Sequence, residues 1–313
     1  MLTMIGITAP IFLLILVGYI VSRVGIIPRE SLPGMSSFVL YLALPVLIFH
    51  KLTQMDLGTI VDSQYLLVYA VAGVLSFFTV FFISRMGRRD SLSFAGLKGM
   101  GSAMPNSVFI GFPVALQYFD QPPTQALVMC LLVENIVLFP LALAFMEARE
   151  DQGADLKKLT ATVALRLMKN PIIIAVISGI LVSLIGLQLP QFLDRAMQIL
   201  NGSAAPMALI IIGASLAGTK VTASLKEVSL IAFGKLLLQP IIALLLVIFV
   251  VPDMDNTLKQ AVVIFSASPM LSVYPIFGSK YGHQVFCSGV LLITTALSFL
   301  SVTLILSLLS LIA

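Results

Sequence analysis

The chain has 313 residues, of which 59% are hydrophobic and only 10% charged. A water-soluble domain carries roughly 25% charged residues, so a chain this poor in charge cannot cover a solvated surface and reads as an integral membrane protein. The net charge of +4 is too small to call for a nucleic-acid partner, and Cys130 and Cys287 lie in apolar segments as small buried hydrophobes, without metal-ligand or disulfide spacing.

A bilayer core needs about 20 apolar residues per helix. About ten such runs succeed one another, so the fold class is an all-α membrane protein. The first, 3–24, has no basic segment before it and is expected to be retained as a span, not cleaved as a signal peptide. The second, 35–50, is short and ends on His50 and Lys51, and the third, 65–86, runs into Arg85, Arg88 and Arg89. The fourth, 94–119, contains Pro105, and the fifth, 125–147, carries Glu134 and Asn135 at mid-depth. A polar stretch then holds Glu150, Asp151, Asp155, Lys157 and Lys158. The sixth and seventh runs, 171–187 and 202–218, are again short. The eighth, 228–251, carries Lys235 and Gln239, the ninth, 258–280, contains Pro269, and the tenth covers 285–311. Five spans in 1–150 and five in 171–313 are thus joined by a linker, 151–170. An odd number per half makes the second half enter the membrane from the other side, as inverted repeats do.

The basic residues fix the expected orientation. With the N-terminus outside, and Lys235 set aside, all of the 18 Lys and Arg except Lys51, Arg195 and Lys259 fall on the inner side. That asymmetry predicts both termini outside. The glycines and alanines of 96–103 and 213–218 would let helices approach closely. His50 and His283 read as interfacial polar residues.

Two segments resemble each other: Ser102-Ala103-Met104-Pro105 and Ser266-Ala267-Ser268-Pro269. Proline lacks an N–H and its ring clashes with the carbonyl one turn earlier, so each span should break there. Broken backbone at membrane depth is tolerated only where it lines a protein-walled cavity. Two breaks at matching places in two halves point to a transporter's binding site. Half-helices starting at Pro105 and Pro269 would each aim free amides and about half a positive charge at that cavity, favouring a carboxylate without a basic side chain. Asn106 and Ser107 would add hydrogen bonds from one half, Ser268 and Ser272 from the other. The predicted substrate-binding residues are therefore Pro105, Asn106, Ser107, Ser268, Pro269 and Ser272.

Glu134 would cost ~2.5–3.5 kcal/mol at the bilayer centre, so it should face the protein interior or water. With Asn135 beside it, Glu134 is a candidate proton carrier; the other reading is a carboxyl that steadies the broken fourth span. Lys235, with Gln239 one turn on, is a further ion-coupling candidate. It could pair with a carboxylate, attract substrate, or snorkel to the interface. No metal or cofactor is expected, and coupling to protons, to sodium or to neither stays open.

The run Met104-Pro105-Asn106 through Gly111-Phe112-Pro113 resembles the fourth helix of the auxin efflux carrier family, with its Pro-Asn pair and subsequent Gly-x-Pro. Ser268-Pro269 through Pro275 resembles that family's ninth helix, and Tyr41-Leu42-Ala43-Leu44-Pro45 another of its patterns. The short central loop resembles the bacterial members, described as malonate or other organic-acid permeases. The resemblance implies two inverted five-helix repeats in a fold like that of the bile acid/sodium symporters. Spans one, two, six and seven would form a dimerising scaffold. Spans three to five and eight to ten would form a transport domain, moving as an elevator, with spans four and nine crossing at the midplane. It also implies a homodimer in the bacterial cytoplasmic (inner) membrane. Where the plant carriers have a polar residue after the ninth-helix proline, Met270 and Leu271 stand here, which turns the expectation away from auxin.

The expected function is secondary transport of a small organic anion across the lipid bilayer. The alternatives are a channel or a non-transporting membrane sensor. The sequence has no P-loop Gly-Lys-Ser/Thr, which argues against ATP hydrolysis, and an intramembrane enzyme is disfavoured because it has no His-Glu-x-x-His, no paired intramembrane aspartates and no Gly-x-Ser-x-Gly elbow.

Overall fold

The computed structural model describes residues 2–54, 61–119, 121, 123–147, 161, 164, 165, 168–187, 189–219 and 224–312. Most of the predicted linker, with Lys157, Lys158 and Arg166, lies outside them, as do Arg149 and Lys220. Among the described residues the chain is helical without a β-strand. The helices are α1 (Leu2–Arg23), α2 (Arg29–Leu52), α3 (Ser63–Gly87), α4 (Leu92–Ala103), α5 (Ser107–Tyr118) and α6 (Thr124–Glu147). They continue with α7 (Pro171–Ile185), α8 (Gln191–Leu216), α9 (Leu225–Phe249), α10 (Asn256–Ala267), α11 (Tyr274–Lys280) and α12 (Gln284–Ile312). Seven of these, α1, α2, α3, α6, α8, α9 and α12, are long and apolar enough to cross a membrane.

The second and seventh predicted runs prove longer than their apolar cores. Helix α8 starts at Gln191, and its first turns carry Asp194, Arg195, Gln198 and Asn201. A count of apolar residues stops at that polar face, although the helix does not.

Five helical stretches widen into a π turn: Val39–Ala43, Ile83–Gly87, Ser107–Gly111, Glu134–Leu138 and Gly234–Leu238. All but the one at 83–87 end two residues before a proline, namely Pro45, Pro113, Pro140 and Pro240. A proline cannot donate to the carbonyl four residues back and its ring crowds that carbonyl, so the preceding turn opens to a wider ring. Pro105 and Pro269 thus end helices, Pro45, Pro113, Pro140 and Pro240 follow widened turns and let their helices continue, and Pro10 and Pro206 sit inside α1 and α8 without a widened turn.

The chain divides into two compact units: Met1–Ala9, Ser63–Val163 and Gly218–Ala313 in one, and Pro10–Asp62 with Ala164–Ala217 in the other. The second unit gathers most of α1 with α2, α7 and α8, the spans that the resemblance assigned to a scaffold. The first gathers α3–α6 and α9–α12.

In the second unit, α1 and α8 touch backbone to backbone. A β-carbon on Gly213 would overlap the Ile15 carbonyl, and one on Gly18 would overlap that of Ile210. We expect Gly213→Val to cost about 1–3 kcal/mol through forced separation of the helices. The check is a lower melting temperature for the detergent-purified variant; an unchanged one would show that α1 can shift freely. His50 is buried between helices: it is 3% exposed, with Nε2 2.5 Å from Asp194 Oδ1 and Nδ1 3.2 Å from Asn201 Nδ2. The polar start of α8, which the apolar count missed, is what covers it.

In the first unit, α4 fits between its neighbours on glycines. Gly96 faces the Phe145 backbone, Gly99 the Phe77 ring, and Gly101 the side chains of Ile231 and Tyr274. Lys98, expected among the inner-side charges, is fully buried on α4. Its ammonium donates to Asp90 Oδ2 at 2.7 Å and Glu227 Oε1 at 2.9 Å, and lies 4.1 Å from the Phe94 ring centre. His283, in the turn between α11 and α12, stacks on the same ring at 4.0 Å. Burial of its imidazole, and then the Lys98 charge, hold its pKa below the ordinary value of 6.5.

Candidate functional site

Helix α4 ends because Pro105 drives Met104 into an extended conformation, φ −93° and ψ 106°. Helix α10 ends the same way, with Ser268 before Pro269 at φ −61° and ψ 143°. The two extended pieces lie antiparallel and pair at Pro105 and Met270. The Asn106 amide donates to the Pro269 carbonyl at 2.7 Å, and the Leu271 amide to the Met104 carbonyl at 3.0 Å. Neither proline has an N–H, so Asn106 and Leu271 are the donors. Four backbone groups freed by the two breaks are thereby paired with each other.

The two halves then differ. Helix α5 starts at Ser107, directly after the break, as expected. Helix α11 does not start at Pro269: it starts at Tyr274, with Pro275 in its first turn. Leu271 is held in the crossing, so the chain needs a turn before Pro275, whose fixed φ suits a helix start, can begin the next segment. The expected pair of matched helix starts at the two crossover prolines is therefore met on one side only.

Asn106 is 4% exposed and caps α5. Its Oδ1 accepts from the Phe109 amide at 3.3 Å, while its Nδ2 is buried without a partner. Ser107 turns toward α6 instead of the crossing: its Oγ donates to Glu134 Oε1, and Tyr69 on α3 joins both, 2.7 Å from Glu134 Oε1 and 3.0 Å from Ser107 Oγ. Tyr69 was not singled out from the sequence, because a lone aromatic in an apolar span reads as packing. Asn135 donates to the Leu131 carbonyl of its own helix. Ser268 donates back to Ile264 at 3.3 Å and sits so close to α5 that a β-carbon on Gly111 would be 2.6 Å from its Oγ. Ser272 is half-buried in the turn before α11. Ser266, not predicted for the site, has a buried Oγ without a partner.

Lys235 does not snorkel. It is fully buried, and its ammonium donates to Gln239 Oε1 and, at 2.8 Å, to the Ser266 carbonyl in the last turn of α10. Gln239 Nε2 in turn donates to the Ala103 carbonyl at the end of α4, at 3.1 Å. Near the end of α4, Ser76 Oγ on α3 lies 3.0 Å from the Ser102 carbonyl and 2.9 Å from the Gly234 carbonyl of α9, its one proton shared between them. Gly234 allows this approach, since a β-carbon there would lie 2.8 Å from Ser102 Cβ. The start of α5 thus offers amides, the free Asn106 Nδ2 and the Glu134–Tyr69–Ser107 group, and the ends of α4 and α10 offer carbonyls, met by Lys235 and Gln239.

Residues 3–306 match the family model described as "Membrane transport protein". The chain is 26% identical over 299 residues to a Rhizobium meliloti protein provisionally named a malonate transporter, covering 95% of this chain and 93% of that protein. It is 26% identical to a Methanothermobacter thermautotrophicus protein named only as an uncharacterized transporter, over 74% of each chain. It is 27% identical to the Escherichia coli (strain K12) transporter YfdV, itself uncharacterized, over 78% of this chain and 77% of that protein.

Proposed function

This chain belongs to the membrane transport protein family, the auxin efflux carrier family that its motifs resemble, and from that premise we propose that it is a secondary carrier of small organic anions, with malonate and related short carboxylates as the substrate class. One observation carries this reading: two interrupted helices meet at their breaks, and a buried amide donor, Asn106 Nδ2, is left there without a protein partner. A buried donor left unsatisfied costs about 1–3 kcal/mol, and a carboxylate oxygen would satisfy it. The first amides of α5 point the same way, because the start of a helix has no internal acceptors for them.

In this reading α4 with α5, and α10 with α11, each form one interrupted span. Residues 1–150 and 171–313 are then inverted five-span repeats joined by 151–170. The unit holding the crossover moves as an elevator against the other, which dimerises. Glu134 carries the coupling proton, and the protein lies in the bacterial cytoplasmic membrane with both termini outside. Support comes from the grouping of spans into two units, the name given to the Rhizobium relative and the sorting of basic residues.

A thermal-shift series on the purified protein tests the substrate class. Malonate, oxalate and succinate are compared with their dimethyl esters. At 100 times its Kd a true ligand adds about 2.7 kcal/mol of stability, several degrees for a chain of this size. A saturable rise with a diacid and none with its ester is expected. A response to the ester as large as to the acid would reject an anion site.

A further inference from the structure

Part of the crossover is built from the ends of two helices, and those ends are negative. The last carbonyls of a helix lack internal donors and carry about half an elementary charge. Helices α4 and α10 bring two such ends to one residue pair on α9. There the Lys235 ammonium takes the Ser266 carbonyl, and Gln239, bridged to Lys235, takes the Ala103 carbonyl. Two half charges add to about one, which a single ammonium balances. In other carriers with broken helices, unwound carbonyls and half-helix ends are what hold a mobile sodium ion or proton.

We propose that the Lys235 ammonium is a tethered cation, filling the place at the ends of α4 and α10 where a mobile alkali cation would otherwise bind. The protein consequently has no sodium site at its crossover, and sodium does not drive its transport. Three observations carry this: full burial of Lys235, carbonyl oxygens as the acceptors of its ammonium, and a shared origin of Lys235 and Gln239 on the π turn of α9 and its next residue. A snorkelling lysine would instead reach solvent. The assignment rests on the carrier reading of the crossover and names its coupling chemistry.

The test is the melting temperature of the purified protein in sodium chloride and in N-methylglucamine chloride of equal ionic strength. No substrate is needed, so failure here is separable from failure of the carrier reading. The wild type is expected to show no sodium-specific shift. Lys235→Ala leaves the carbonyls beside an ammonium-sized space, and it is expected to gain about 2–4 °C from sodium or from methylammonium, but not from N-methylglucamine. A sodium-specific rise in the wild type overturns the proposal. So does a Lys235→Ala protein that melts identically in sodium, potassium, methylammonium and N-methylglucamine. If that variant cannot be recovered folded, the wild-type measurement decides alone, absence of a sodium-specific shift upholding the assignment.

Discussion

Asn106→Ala is expected to abolish organic-anion transport, and Asn106→Ser to lose nearly as much transport with far less loss of stability. Asn106 does two jobs with two atoms. Its Oδ1 caps α5 through the Phe109 amide, and its Nδ2 stands buried without a partner. Alanine removes both, and loss of the cap alone costs about 1 kcal/mol of stability. Serine caps a helix about as well as asparagine but has no amide to present. A hydrogen bond to a charged group is worth about 1.5–3 kcal/mol, so losing it should weaken anion binding roughly 10–150-fold. Uptake by proteoliposomes, set beside melting temperatures, separates the two contributions. Wild-type affinity in Asn106→Ser would remove Nδ2 from the site and leave Asn106 as a cap alone.

Glu134→Gln is expected to disconnect transport from a pH gradient while leaving exchange of substrate across the membrane intact. Tyr69 and Ser107 both donate to Glu134 Oε1. A glutamine oxygen can accept the same two bonds, so the variant keeps the geometry and loses only the ability to take up and release a proton. Glu134 sits one hydrogen bond from Ser107, and Ser107 is next to Asn106 in the chain. Protonation and anion binding are therefore adjacent events, and each is expected to favour the other. An imposed pH gradient should accelerate net uptake by the wild type and have no effect on the variant. An undiminished response in Glu134→Gln would make Glu134 a structural partner of the broken helix and not the proton carrier.

The breaks were legible in the sequence because the effect of proline on its own helix is local. Pro105 and Pro269 stop α4 and α10 where the sequence placed the interruptions. The path of the chain beyond each break was less legible. The start of α11 at Tyr274 depends on Leu271 pairing with Met104, a residue far away in sequence. The same holds for side-chain direction. Gln239 stands four residues from Lys235 and was visible as its neighbour, but the Ser266 carbonyl that keeps Lys235 from the interface comes from another span. The widened turns before Pro45, Pro113, Pro140 and Pro240 carry a sequence signal, a proline inside an apolar run, but that signal alone does not tell a widened helix from a broken one. The burial of His50 had none, since the Asp194 that covers it lies on a part of α8 too polar to be read as membrane helix.

Counterflow in proteoliposomes tests the central claim most directly. Vesicles loaded with unlabelled malonate, oxalate or succinate are diluted into trace labelled acid, with the wild type and Asn106→Ser side by side. A carrier that holds the anion at the crossing of its two interrupted helices should accumulate label transiently and saturably, and Asn106→Ser should require far more acid for the same effect. Flux that never saturates, or counterflow at wild-type affinity in Asn106→Ser, would contradict it.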